Sequence, residues 1–149
     1  MKRTMITFAA IALATGATAA DILPADVMFE EGAVTASLTG VKGDAASDRK
    51  VFANRKKGNC LACHANTDLP AQLFHGEVGP TMDGVGGIYE AAQLRGLLTN
   101  SKETFEGTIL PASYKADGCP RNLEKFVGKT ILTAQEVEDV LAYLQTLTE

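Results

Sequence analysis

The chain has 149 residues, a one-domain length, and carries 18 acidic against 14 basic side chains for a formal charge of −4. That balance excludes the basic footprint of a nucleic-acid binder and favours docking to a basic patch on a protein partner. Beyond the first twenty residues no stretch is long and apolar enough to span a bilayer.

Residues 1–20 read as a secretory signal peptide. Lys2 and Arg3 give a basic start, Met5 to Ala14 are almost wholly apolar, and Ala17-Thr18-Ala19-Ala20 supply a small-residue cleavage site before Asp21. The mature chain, 21–149, is then expected in the periplasm with no membrane span. Without Lys2 and Arg3 it has 12 basic and 18 acidic side chains, a charge of −6. Residues 21–43 form a Gly-punctuated extended arm, with Val27, Phe29, Val34 and Leu38 available to lie on the body.

A first helix is predicted after Gly43, capped by Asp44 or Ser47 and running through Arg49 to Lys57, weakening at Gly58 or Asn59. Cys60-Leu61-Ala62-Cys63-His64 follows, then an irregular stretch through Gly87 that contains Gly79-Pro80-Thr81. Tyr89 to Leu98 is a second helix, packing through Ala92, Leu94, Leu97 and Leu98. The loop from Thr99 to Leu132 is too long for mere connection and is expected to cover a bound group. Thr133-Ala134-Gln135-Glu136 is a capping box, and Val137, Val140, Leu141, Leu144 and Leu147 behind it mark the apolar stripe of a last helix.

The chemistry sits in Cys60, Cys63 and His64. Two thiols three positions apart, followed at once by an imidazole, form the C-x-x-C-H pattern of covalent haem attachment. One helical turn puts both sulfurs on one side, where they can add to the two haem vinyl groups, and His64 then ligates the iron from the proximal face. A zinc site would need further paired thiolates or imidazoles, and only Cys119 and His75 remain. A dithiol redox pair would sit at a strand-to-helix turn, for which there is no pattern. A proximal histidine needs its second nitrogen held by an acceptor, and the Pro80 carbonyl is a candidate. Arg95 is a candidate partner for a haem propionate, set against an ordinary surface arginine. With Cys60 and Cys63 as thioethers, Cys119 has no intrachain disulfide partner.

A helix leading into C-x-x-C-H, a Gly-Pro loop, a middle helix and a capped last helix resemble small class I cytochromes c, a mostly α fold around one covalent haem. More narrowly, Ser37-Leu38-Thr39-Gly40, the haem motif with Gly58-Asn59 ahead of it, Gly79-Pro80-Thr81 and Glu138-Asp139-Val140-Leu141-Ala142-Tyr143-Leu144 resemble the X subunit of the sulfur-oxidising Sox cytochrome complex. The resemblance implies a heterodimer with a larger cytochrome, SoxA, that couples thiosulfate to a carrier-protein cysteine. This chain would be its non-catalytic, electron-accepting subunit, passing electrons to a transient redox acceptor. It also implies haem c on Cys60 and Cys63, iron on His64 and Pro80 on the proximal side.

One match fails. The family's distal Met precedes a Pro, and here the run Thr108-Ile109-Leu110-Pro111-Ala112-Ser113-Tyr114 has Leu110 at that position. An isobutyl group cannot ligate iron. Met82 and His75 are expected on the proximal side and Met28 in the arm, whereas Cys119 lies nine residues beyond Leu110 in the same loop. Cys119 is thus the candidate distal ligand, beside the alternatives of a buried or partner-facing thiol and of an open site holding water. The competing functions are a stand-alone electron-shuttle cytochrome and a haem-based binder of small ligands.

Overall fold

The computed structural model describes residues 20–118 and 121–149, and of Ser47 and Asp48 the backbone alone. Among the described residues four α-helices carry the fold: α1 (Ala45–Phe52), α2 (Val85–Ile88), α3 (Ala91–Asn100) and α4 (Ala134–Leu144). Short 3-10 turns at Pro24–Asp26, Cys60–Ala62, Ser101–Glu103 and Glu124–Phe126 join them. Among the described residues there is no strand, only an antiparallel bridge between Glu30 and Ala33. The predicted signal segment falls on residues 1–20, of which 1–19 lie outside the described residues.

The frame is the pair α1 and α4. Asp44 caps α1 by accepting from Ala46 N–H at 2.9 Å, and its own N–H donates to Asp139 Oδ1 of α4 at 3.0 Å. Gly43 sits where a Cβ would fall 2.0 Å from the Glu138 carbonyl oxygen, so only glycine lets the chain enter α1 this close to α4. Phe52 closes the crossing edge-on to Tyr143, with ring centroids 5.7 Å apart. The capping box of α4 forms as the sequence predicts, Thr133 Oγ1 accepting from Glu136 N–H at 3.2 Å and Glu136 Oε2 from Thr133 N–H at 2.9 Å. The stripe Val137, Val140, Leu141 and Leu144 is buried behind it.

Three elements depart from the sequence expectation. α1 stops at Phe52 because Asn54 competes for its backbone: Lys56 N–H donates to the Asn54 side chain at 2.9 Å, and Lys57 and Asn59 N–H donate to its carbonyl. α3 starts at Ala91, after Glu90 N–H donates to Gln93 Oε1 at 2.9 Å, and extends to Asn100. Its buried face is Leu94, Arg95, Gly96, Thr99 and Asn100, with Leu97 and Leu98 only half-buried. The stretch before it holds the unpredicted α2, whose Gly86 lies against the α4 C-terminus and donates its N–H to the Leu147 carbonyl at 2.8 Å.

The arm is stitched to the body. Ile22 N–H donates to the Leu38 carbonyl at 2.7 Å, Val34 N–H to that of Ala92 at 2.9 Å, and Tyr114 Oη to that of Ile22 at 2.7 Å. Val34 and Leu38 are fully buried and Val27 and Phe29 partly so. The arm turns at Glu31 and Gly32, both at positive φ, and Gly96 of α3 leaves room for the Gly32 carbonyl, which a Cβ would meet at 1.9 Å. The long loop is tied down as well: Tyr114 N–H donates to the Thr99 carbonyl at 3.1 Å and Leu132 N–H to that of Ser113 at 3.0 Å.

Candidate functional site

Cys60, Cys63 and His64 come from one tight turn. Asn59 enters it in the left-handed region at φ 50°, which Asn tolerates better than most residues. Cys60 to Ala62 then form a 3-10 turn whose Cys60 carbonyl accepts from both Cys63 N–H at 3.1 Å and His64 N–H at 3.0 Å. Leu61 is buried and anchors the turn in the core. Both cysteines and His64 are half-buried, between core and solvent.

The loop after the turn folds back along it. Gly76 N–H donates to the Leu61 carbonyl and Gly79 N–H to the Cys63 carbonyl, both at 2.8 Å. Each glycine is required by contact: a Cβ on Gly76 would lie 2.1 Å from the Ala62 carbonyl oxygen, and one on Gly79 would lie 2.4 Å from His64 Cε1. Gly79 therefore lies against the imidazole ring. One residue on, the Pro80 carbonyl oxygen stands 2.7 Å from His64 Nδ1. A carbonyl only accepts, so Nδ1 carries a proton, and in the neutral ring the lone pair is then on Nε2. That is the tautomer an iron ligand through Nε2 requires.

A second tier holds Pro80. The Ala65 carbonyl accepts from Met82 N–H at 2.8 Å and from Thr81 Oγ1 at 3.3 Å. Asp83 Oδ1 accepts from Thr67 N–H at 2.9 Å, and Asp83 Oδ2 from Thr81 Oγ1 at 2.9 Å. The Thr67 backbone bond, with help from the two threonine hydroxyls, holds the Asp83 carboxyl below the ordinary aspartate range. This latch joins the segments on either side of the histidine cradle. The sequence reading missed it, although Thr81 and Asp83 two residues apart are a local side-chain-to-backbone turn signal.

Arg95 must be reassigned. It is buried, with Nε donating to Glu138 Oε1 at 2.8 Å, Nη2 to Glu138 Oε2 at 3.1 Å and Nη1 to the Val34 carbonyl at 2.8 Å. Glu138 Oε1 also accepts from Leu38 N–H at 2.8 Å. The pair thus ties the arm to α3 and α4. A guanidinium enclosed by a bidentate carboxylate and a carbonyl is a core ion pair, not a propionate partner.

The distal candidates separate as follows. Leu110 is half-buried, its carbonyl accepting from Ser101 Oγ at 3.0 Å and Lys102 Nζ at 2.7 Å. Met82 is buried in the hydrophobic core two residues after Pro80, and Met28 is exposed on the arm. His75 Nδ1 accepts from Asn66 N–H at 3.2 Å, while its Nε2 is buried without a partner among the described residues. Cys119 lies outside the described residues.

Paired thiols on one turn, a tautomer-fixed histidine and a glycine cradle that a Cβ would fill fit covalent haem, and with the helical frame they define a c-type cytochrome. A family model and a solved structure agree. A family model described as cytochrome c matches residues 47–148. The structure of SoxXA from P. pantotrophus contains a chain 44% identical, covering 87% of this chain and 100% of that one at a TM-score of 0.82. The c-type cytochrome SorU from Sinorhizobium meliloti is 27% identical over 70% of this chain and 90% of its own, at a TM-score of 0.46. No curated protein matches the sequence. The chain belongs to the cytochrome c family, as a SoxX-type member whose cofactor is covalently bound haem c with its iron. No helix among the described residues is long and apolar enough to cross a membrane.

Proposed function

We propose that Cys60 and Cys63 hold one haem through thioether bonds, that His64 Nε2 is the proximal iron ligand, and that the Pro80 carbonyl orients it. The protein works in the periplasm, after loss of residues 1–20, as the electron-accepting subunit of a SoxAX-type thiosulfate-oxidising complex. Its partner is a larger SoxA-like cytochrome in a heterodimer, and a transient redox protein takes the electron onward. The haem supplies a one-electron store. The chain's own residues attach it, fix the proton on His64 Nδ1 and keep the ring from rotating. The substrate chemistry belongs to the partner, so this subunit is non-catalytic. The observation that carries the haem-ligation reading is the 2.7 Å contact between His64 Nδ1 and the Pro80 carbonyl, with Gly79 against the ring, and the 44% identity to a chain of the SoxXA structure supports the partner.

The test is production of the exported chain with haem attachment machinery, alone and beside the larger subunit. One haem per chain, retained in acid acetone and lost in the Cys60→Ser, Cys63→Ser variant, is expected, together with co-purification of the two subunits. Haem removed by acid acetone from the wild type would defeat the attachment reading. Independent elution of the two subunits would leave a stand-alone electron shuttle.

A second reading, a haem-based binder of small ligands, is favoured by Leu110 in the run where the family carries Met. Absorption and EPR spectra decide it. A low-spin ferric thiolate signal lost in Cys119→Ser makes Cys119 the distal ligand and the centre low-potential. A high-spin signal indifferent to that substitution, with carbon monoxide binding by the reduced protein, means an open site.

A further inference from the structure

The loop that carries the histidine cradle also exposes three large apolar side chains. Leu73 is 88% exposed, Phe74 73% and Val78 66%. The loop backbone around them is held in place: Gln72 N–H is bonded to the Leu69 carbonyl at 3.0 Å, and Gly76 and Gly79 are bonded to the haem-attachment turn. Phe74 lines a hollow with Ala53, Arg55, Leu61 and Ala62.

The rim of this patch reverses the charge of the molecule. The Arg55 guanidinium lies 5.9 Å from the centroid of the Phe74 ring, and Lys56 is exposed beside it. Glu77 is the one carboxylate of residues 69–80. A chain that is acidic as a whole therefore offers, next to its haem turn, apolar side chains under a basic edge. The expectation of a basic partner patch suits the rest of the surface, and this loop suits the opposite partner.

We propose that the Leu73, Phe74 and Val78 patch with Arg55 is where the larger cytochrome subunit docks, through an apolar spot rimmed by carboxylates. Aromatic and Arg anchors of this kind dominate interface energetics. Docking here would set the partner beside Leu61 and Ala62, between the two haem-attaching cysteines, where a short electron path is most useful. The inference rests on the heterodimer reading above and adds the surface to it.

The experiment uses haem-loaded wild type and the variants Leu73→Ser with Phe74→Ser, and Arg55→Glu, titrated with the purified larger subunit. Binding at least about tenfold weaker in both, with haem absorption and midpoint potential unchanged, is expected. Equal binding by wild type and variants would overturn the docking surface while leaving the heterodimer intact. Failure of the wild type to bind would overturn the heterodimer reading itself. A changed haem spectrum in the double variant would mean that these side chains pack on the haem, and overturns the proposal. So would a wild-type homodimer, seen by sedimentation, that the double variant abolishes.

Discussion

Replacing Gly79 by Ala should disturb the proximal histidine more than any other single methyl group added to this chain's cradle. The new Cβ would lie 2.4 Å from His64 Cε1, 2.7 Å from Nδ1 and 2.9 Å from Nε2. Ordinary contact begins at 3.4 Å, so ring and loop must separate by about 1 Å. The loop resists, because Gly79 N–H is bonded to the Cys63 carbonyl and the next residue is Pro80. The ring can yield only by stretching its 2.7 Å contact to the Pro80 carbonyl. Overpacking of this kind costs about 1–3 kcal/mol and a weakened hydrogen bond about another 1 kcal/mol. A total of about 2–4 kcal/mol corresponds to a Tm lower by roughly 8–15 °C in a domain of this size. Thermal unfolding of haem-loaded Gly79→Ala, followed in the haem absorption band, measures it. The ferric EPR spectrum should shift at the same time, because the ring plane turns. A Tm within about 2 °C of wild type with an unchanged spectrum would refute the cradle.

Glu138→Ala should leave the Arg95 guanidinium buried without its carboxylate and destabilise the fold by about 3–5 kcal/mol, read from denaturant midpoints. A loss below about 1 kcal/mol would mean that water reaches Arg95. Asp83 has its pKa lowered on folding, so its contribution is present above the unfolded value near 3.8 and disappears as pH falls through the lower folded value. Asp83→Asn should therefore flatten the acid limb of the stability curve and leave its slope near neutrality unchanged. Tyr143 is buried and donates to Asp68 Oδ2 at 2.8 Å while accepting from Asn66 Nδ2 at 3.0 Å, and burial first, then Asp68, pushes its pKa up to about 12. Its phenolate band should be absent until that pH in the folded protein, and stability should fall as pH rises from 10 towards 12. Tyr143→Phe should cost about 1–2 kcal/mol and remove that alkaline slope.

The sequence by itself determined the elements whose cause is local. The capping box at Thr133 and Glu136 and the stripe from Val137 to Leu144 are properties of a few neighbouring residues, and they form as read. Cys60, Cys63 and His64 are legible for the same reason: five consecutive residues hold both thiols and the imidazole, whatever surrounds them. Pro80 was within reach because a proximal histidine needs an acceptor and a Gly-Pro loop offers one nearby.

Only the tertiary structure decided what depends on partners far apart in sequence. Arg95 looks like a surface cation in its helix, and it became a core ion pair because α4 delivers Glu138 and the arm delivers the Val34 carbonyl. The end of α1 moved to Phe52 because Asn54 captured backbone that propensity alone would have left helical. The glycines at 43, 79 and 96 read alike in sequence, yet each answers to a different neighbour, a carbonyl of α4, an imidazole ring and a carbonyl of the arm. A missing Cβ declares nothing about what approaches it. Close approach is a property of two segments at once, and folding has to bring both together before either residue has a reason.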